Sequence, residues 1–375
     1  MFSSEPEGLI CAMTHVLLVK TSSMGDVVHT LPAVTDARAL VPGITFDWVV
    51  EEAFTDIPAS HPAVNEVIPV AMRRWRKNIM AALVGEEFRR FRAALRRNCY
   101  DLVIDAQGLM KSALITRLAG VRSVGLSWES AREPLCSLLY RHKVVVSRNQ
   151  HAVERIRSLF AKALEYNVPP DLGSYGIRPD AGPLSEGFEE YCHTKQILFN
   201  HGTIWESKRW PLVYWQQLLQ QVNDSGYRVL LPWGDEIEKQ RAELIAGCGP
   251  DVTVLPKLTI RELIGIMASV EGVVSGDTGL GHLAVACGVP TVSVLGPTDP
   301  GLSGSYGANQ RNVVSDHLPC IPCMKRRCKF ALASDSNGIH PPCFAPLTPA
   351  AVWSELTAMM KIAPGPDQNS RERAT

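Results

Sequence analysis

Short apolar runs rich in β-branched residues recur through the first half of the chain: HVLLVK from His15, TFDWVV from Thr45, EVIPV from Glu66, DLVIDAQ from Asp101, SVGL from Ser123 and HKVVVS from His142. Helical spacing of apolar residues fills the intervals. Strands that are apolar on both faces and separated by helices predict a parallel sheet covered on both sides. Proline, glycine and aspartate break the pattern from Pro169 to Leu184, which predicts an interdomain linker. A second series follows, with QILFNHG from Gln196, RVLLPWG from Arg228, VTVLP from Val252, EGVVSGDTG from Glu271 and TVSVLG from Thr291 as strands. The predicted fold class is α/β, two doubly wound Rossmann-like domains facing across a cleft. Ligands in such sheets sit outside the carboxyl ends of the strands.

These patterns divide the chain into an N-terminal extension (1–12), a first domain (13–168), a linker (169–190) and a second domain (191–345). A cysteine-rich insertion, 318–344, interrupts the second domain. A helix over 346–362 follows, with Thr348 as its cap and Pro349 at its first position, and then a polar tail (363–375) expected to be disordered. The start, MFSSEPEGLICAM, is acidic and lacks the basic residues and long apolar centre of a secretory signal. No run approaches the roughly 18 to 20 apolar residues of a membrane-spanning helix. Most of the ten cysteines lie scattered in apolar surroundings, as reduced thiols do, which makes the cytoplasm the expected compartment.

Composition adds little until it is read locally. Over 375 residues the formal net charge is zero, with 46% hydrophobic and 20% charged residues, the mix of a globular protein. Between Arg73 and Arg157, however, 18 Lys and Arg stand against 7 Asp and Glu. That asymmetry calls for an anionic partner or surface.

The candidate chemistry lies in turns after strands. KTSSMGDVVHTLPA, Lys20 to Ala33, holds Asp26 at the start of the predicted helix VVHTLPAVTDARAL. There a carboxylate caps the helix or serves as a base, and position alone does not choose between them. SGDTGLGH places Asp277, Thr278 and Gly279 in a turn leading into a helix that carries His282, a phosphate-binding arrangement or an ordinary capped βα turn. LGPTDP repeats the style after the next strand. In FNHGTIWESK, Thr203 offers a hydroxyl and Lys208 a point charge for a diphosphate, although a single lysine is usually solvated surface. Glu238, after LPWGDEI, suits a ribose diol or a solvated helix face.

Taken together, LLVKTSSMGDVVHTLPAVTDA, FDWVVEEAF, VIPVAMRRWRK, DLVIDAQGLMKSAL, AREPL, QHAVER, LPWG, SGDTGLGHLA and GPTDPG resemble the ADP-heptose:lipopolysaccharide heptosyltransferase family, in the branch that adds the first heptose. The resemblance spans roughly Met13 to Gly304 and the final helix. It implies a GT-B glycosyltransferase that moves L-glycero-D-manno-heptose from ADP-L-glycero-β-D-manno-heptose to the 5-hydroxyl of the first Kdo of Kdo-lipid A, with inversion and no catalytic metal. It implies Asp26 as the base that deprotonates the acceptor. It places the donor on Thr203, Ile204, Lys208, Glu238, Leu258, Asp277, Thr278, Gly279 and His282. Ile204 replaces a common threonine, leaving only a backbone contact, and Leu258 replaces a common methionine near adenine, a volume-conserving exchange.

The resemblance also places acceptor contacts on Arg73, Arg74, Arg76 and Lys77 of RRWRK and on Arg132. With RRFRAALRR, these suit Kdo carboxylates, lipid A phosphates and an anionic inner-membrane surface on its cytoplasmic face. No nucleic-acid motif accompanies them. Rival readings are the sibling enzyme that adds the second heptose and an inactive nucleotide-sugar-binding module. Cys320, Cys323, Cys328 and Cys343 have the spacing C-x2-C-x4-C-x14-C, which suits a structural zinc, an iron–sulfur cluster or free thiols without a catalytic role.

Overall fold

The computed structural model describes residues 14–78, 85–179, 188–330 and 339–362. The predicted extension and polar tail lie outside them, as do 180–187 of the linker and 331–338 of the cysteine-rich segment.

The chain divides into two compact units. The first takes the described residues up to Ser22, then His29–Arg148 and Val153–Gly176; the second takes Ser23–Val28, Asn149–Ala152 and the residues from Ile177 onward. The division after Gly176 falls inside the predicted linker. Near that point the buried Arg157 donates to Asp36 at 2.6 Å and to the carbonyls of Asp171 and Pro169, tying the outgoing segment down. A guanidinium so deeply buried requires this full set of acceptors.

The first unit is a six-stranded parallel sheet in the order β3-β2-β1-β4-β5-β6. Its strands are β1 (His15–Val19), β2 (Thr45–Glu51), β3 (Val64–Val70), β4 (Leu102–Asp105), β5 (Ser123–Leu126) and β6 (His142–Val144). Val16 to Val19 are fully buried, as continuous apolar runs are when helices cover both faces. The strand order reverses between β1 and β4, and there the loops Lys20–Ser22 and Ala106–Gly108 meet, at the carboxyl-end crevice of a doubly wound sheet.

The second unit repeats the plan. Its order is β12-β11-β10-β7-β8-β9, all parallel where paired, with β7 (Gln196–Asn200), β8 (Arg228–Leu231), β9 (Val252–Val254), β10 (Gly272–Gly276), β11 (Thr291–Leu295) and β12 (Gln310–Val314). Here the reversal lies between β7 and β10, which brings the turns after Asn200 and Gly276 together. An aromatic core of Phe199, Trp210, Trp215 and Phe344 underlies them, and the two tryptophan rings meet edge to face at 5.0 Å.

Two elements differ from expectation. The predicted helix after Asp26 is two helices, α1 (Met24–Val28) and α2 (Leu31–Leu40). Pro32 has no N–H to continue the ladder, so the break precedes it. Strand β12, unforeseen, is a half-buried edge strand whose short polar run, QRNVV, has no strong strand signature. The C-terminal helix starts at Pro349 as expected, with Thr348 Oγ1 accepting the Ala351 N–H at 3.3 Å.

Candidate active site

In the first unit the stem of the Asp26 turn is held by β4's loop. Gln107 Oε1 accepts the backbone N–H groups of Thr21 and Ser22 at 3.0 and 3.1 Å, and Lys20 Nζ donates to the Ala106 carbonyl at 2.9 Å. Gln107 is itself placed by Asp105, whose Oδ1 accepts the Gln107 N–H at 2.8 Å while Oδ2 accepts Tyr140 Oη at 2.7 Å. Burial raises the Asp105 carboxyl pKa and the Tyr140 hydrogen bond opposes it. The motif DAQG is thus a chain of hydrogen bonds ending on the turn before Asp26, a role that sequence reading missed.

The remaining first-unit candidates are on the surface. Arg74 is gripped by Glu87 and Glu52, with contacts of 2.5 to 3.3 Å, and these carboxylates raise its pKa. Glu87 is held down to about 2 by Arg74 and by the Trp75 indole N–H. Arg73 lies over the Phe54 ring at 5.0 Å and donates its backbone N–H to Glu51. Arg76, Lys77 and Arg132 are exposed. In RRFRAALRR, on the helix Glu86–Arg97, Arg90 pairs with Glu86 and Arg97 with Glu66. Three of the nine cations from Arg73 to Arg97 are thus paired with neighbouring acids: Arg74, Arg90 and Arg97.

In the second unit Ser23 precedes α1, and its N–H and Oγ both donate to Asp26 Oδ2, at 2.7 and 2.8 Å. This is one half of a capping box, so the capping reading holds locally. The same bonds fix the carboxylate's orientation. Gly25 backs onto the helix after β10 (Gly279–Ala286), because a Cβ there would lie 2.7 Å from the His282 ring. Gly279 has the same need, with Met24 at 2.7 Å.

Around that helix start the predicted donor residues gather. Lys208 Nζ pairs with Asp277 Oδ2 at 2.8 Å and lies over the Trp205 ring at 4.6 Å. Asp277 Oδ2 also accepts the Thr298 hydroxyl of the LGPTDP turn. Thr203 Oγ1 donates to the Asp277 carbonyl at 3.4 Å, and Thr278 Oγ1 caps the helix by accepting the Leu280 N–H at 3.1 Å. Asp277 is thus an acceptor for Lys208 and Thr298, and the cap is Thr278. Trp205 and Thr298 had only the turn GPTDP and a nearby tryptophan as signals.

Glu238 Oε2 accepts the Gly234 N–H at 2.8 Å, and its Oε1 lies 2.3 Å from where a Gly202 Cβ would stand. Burial raises its pKa, with the Gly234 N–H opposing. Its carboxylate therefore sits against the turn that leads to Thr203. Leu258 is half-buried just before Thr259, which caps the helix Ile260–Ser269, and Ile204 is 92% exposed.

Burial holds His282 down at about 4, with Asp277 opposing it and His151 and Lys208 reinforcing it, so the ring is neutral at physiological pH. Burial and then Arg241 hold His201 at about 4 too. Between pH 6.5 and 4 the unfolded chain gains a proton at each site that the folded chain refuses. Stability present above pH 6.5 is therefore lost as pH falls, by up to ~3 kcal/mol per histidine; Glu238 acts in the opposite sense. The melting temperature is expected to drop between pH 6.5 and 4.5, less steeply in a His201→Asn variant. An unchanged slope would remove His201 as a contributor.

The four cysteines of the insertion share one pocket with Lys325, Arg327 and Pro297. Burial pushes the Cys343 thiol up to about 12, helped by repulsion from Cys328, Cys323 and Cys320. Among the described residues no group of three or more His, Cys, Asp or Glu side chains is arranged to hold a metal ion. The segment is stitched to the turns after β7 and β11 instead: Ser207 Oγ donates to the Lys325 carbonyl at 2.5 Å, and the Met324 N–H donates to the Pro297 carbonyl at 2.9 Å.

Two doubly wound parallel sheets, the second with an Asp-Thr-Gly turn, a lysine and a helix start at its reversal point, have the architecture of a GT-B glycosyltransferase, as the likeness to a solved heptosyltransferase bears out. Residues 88–333 match glycosyltransferase family 9 (heptosyltransferase). Lipopolysaccharide heptosyltransferase 1 of Pseudomonas aeruginosa is 48% identical over 356 residues, 93% of this chain and 98% of that protein. Its Escherichia coli counterpart is 50% identical over 297 residues, 79% of this chain and 92% of the other. The solved E. coli heptosyltransferase WaaC with ADP has a TM-score of 0.79 at 43% identity, covering 92% of this chain and 100% of that one. The chain belongs to glycosyltransferase family 9, the heptosyltransferases.

Proposed function

We propose that this heptosyltransferase starts the lipopolysaccharide inner core by moving L-glycero-D-manno-heptose from its ADP-β-linked form to the 5-hydroxyl of the first Kdo of Kdo-lipid A. The observation that carries the reading is likeness of 48% across 93% of the chain to a first heptosyltransferase, and the grouping of Thr203, Lys208, Asp277 and Thr278 at one helix start supports it. Heptosyltransferase 2 of E. coli, the runner-up, is 24% identical over 360 residues.

In the proposed step the acceptor oxygen gives its proton to Asp26 and attacks the anomeric carbon as the bond to the diphosphate breaks, inverting the centre. Lys208 and the helix start at Thr278–Gly279 take the charge that develops on ADP. Neutral His282 serves as a hydrogen-bonding group there. Glu238 holds the ribose diol, and the backbone near Leu258 and Ile204 borders the nucleotide. Arg73, Arg74, Arg76, Lys77 and Arg132 meet the anionic acceptor at the cytoplasmic face of the inner membrane, where the protein is peripheral. Cys320, Cys323, Cys328 and Cys343 are the proposed ligands of a structural zinc that would draw the thiols of their common pocket together, without a part in the chemistry.

Purified protein with ADP-heptose, Kdo-lipid A and EDTA is expected to yield an acceptor one heptose heavier, detected by mass spectrometry. ADP binding without transfer points to an inactive module, and transfer only to the heptosylated acceptor points to the second enzyme. Elemental analysis of the same preparation reads the zinc; a metal-free protein with normal stability would remove the structural ion.

A further inference from the structure

In the basic strip that the sequence assigns to the membrane, Arg74 is already engaged by Glu52 and Glu87; another surface of the first unit exposes leucines on a cation-rich stretch of chain. The helix after β4 (Met110–Ala119) and the 3-10 helix Pro134–Leu139 begin side by side: the Met110 N–H donates to Glu133 Oε2 at 2.7 Å, and the Glu133 N–H donates to the Gly108 carbonyl at 3.2 Å. Both elements bury one side, Ala113 and Ile115 on the first and Cys136 on the second. Several of their outer residues are apolar all the same. Leu114 is 54% exposed, Leu135 57% and Leu138 64%, and Trp128, on the loop between β5 and the 3-10 helix, is 54% exposed.

Large exposed leucines on two adjoining elements are unusual for a surface that faces only water. The charge around them says what covers them. From Met110 to Arg148 the chain carries 7 Lys and Arg against 2 Asp and Glu. No salt bridge between described side chains engages Arg132, Arg141 or Lys143. Exposed apolar side chains on a stretch of chain with a cation excess match an anionic bilayer, in which leucines enter the acyl boundary, an indole rests at headgroup depth and the cations meet lipid phosphates.

We propose that the exposed leucines of Pro134–Leu139, with Leu114 and Trp128, form a membrane-docking surface for an anionic lipid bilayer, distinct from the RRWRK strip. The proposal deepens the acceptor assignment above and rests on it in one respect. Arg132, an acceptor contact in that reading, lies two residues before the 3-10 helix, so the docked leucines hold the site at the height where a lipid-anchored sugar emerges.

The test uses the full chain with phosphatidylcholine vesicles and with vesicles that also contain phosphatidylglycerol, read by co-sedimentation. Wild type is expected to bind the anionic vesicles, and Leu135→Glu/Leu138→Glu to bind them about tenfold more weakly or less. The milder Leu135→Ser/Leu138→Ser pair, checked for an unchanged melting temperature, guards against misfolding. Transfer to a deacylated, water-soluble Kdo acceptor should stay within about twofold, while transfer to vesicle-embedded acceptor falls. Equal vesicle binding by both variants and wild type overturns the surface. A dimer in wild type that the variants dissolve assigns it to a second copy of the chain and overturns it too. If wild type docks yet transfers to neither acceptor, the function reading fails and the surface stands.

Discussion

Asp26→Asn is expected to lower kcat by about a thousandfold while leaving ADP-heptose binding within about twofold, since a positioned general base contributes roughly 10² to 10⁴ in rate. The separation of effects comes from local structure. Asparagine keeps an oxygen for the two Ser23 donors that now meet Asp26 Oδ2, so the cap survives and only proton acceptance is lost. Loss of the cap itself would cost about 1 kcal/mol, which thermal melting would reveal. Steady-state turnover with Kdo-lipid A, beside calorimetric titration of donor, makes the measurement. Activity retained within tenfold of wild type would falsify the assignment of Asp26 as base and leave it as a cap.

Lys208→Met is expected to cut kcat/KM for ADP-heptose by about 10² to 10³, the usual effect of removing one fixed charge from a developing anion. It also leaves Asp277, buried and 2.8 Å from the missing ammonium, with the Thr298 hydroxyl as its remaining side-chain partner in that network. Removing one partner of a buried pair costs about 3 to 5 kcal/mol at most. The double variant Lys208→Met/Asp277→Asn tells the two effects apart. It should regain most of the lost stability, because no unpaired charge is left, and none of the lost transfer. Recovery of activity in the double variant would mean that Lys208 serves Asp277 alone.

The strands illustrate how much was legible from residues. Eleven of the twelve strands stand where apolar, β-branched runs predicted them, because a strand covered on both faces must be apolar throughout. The twelfth, QRNVV, forms at an edge by pairing with β11, and edge pairing leaves a weak trace in composition. The turns proposed to hold the donor were legible for a similar reason: a glycine-bearing turn after a strand and before a helix is a local event. The break at Pro32 was legible too, in hindsight, from proline's missing N–H.

Other features depend on residues distant in sequence. Nothing local says that Gln107 accepts from Thr21 and Ser22, or that Arg157 closes over Asp36. The acids that engage Arg74 lie on two different elements, so a charge count along the chain could not tell which of the strip's cations is already paired. The cysteine segment reads in sequence as an insertion, and its backbone is sewn to Ser207 and Pro297.

By itself the sequence determined the two doubly wound sheets and the glycine-bearing turns that follow their strands, since periodicity and turn residues act over a few positions. Only the tertiary structure decided which charges stay unmatched, which glycines make room for His282 and Met24, and which leucines remain uncovered. Each of these depends on which distant elements the folded sheets bring side by side.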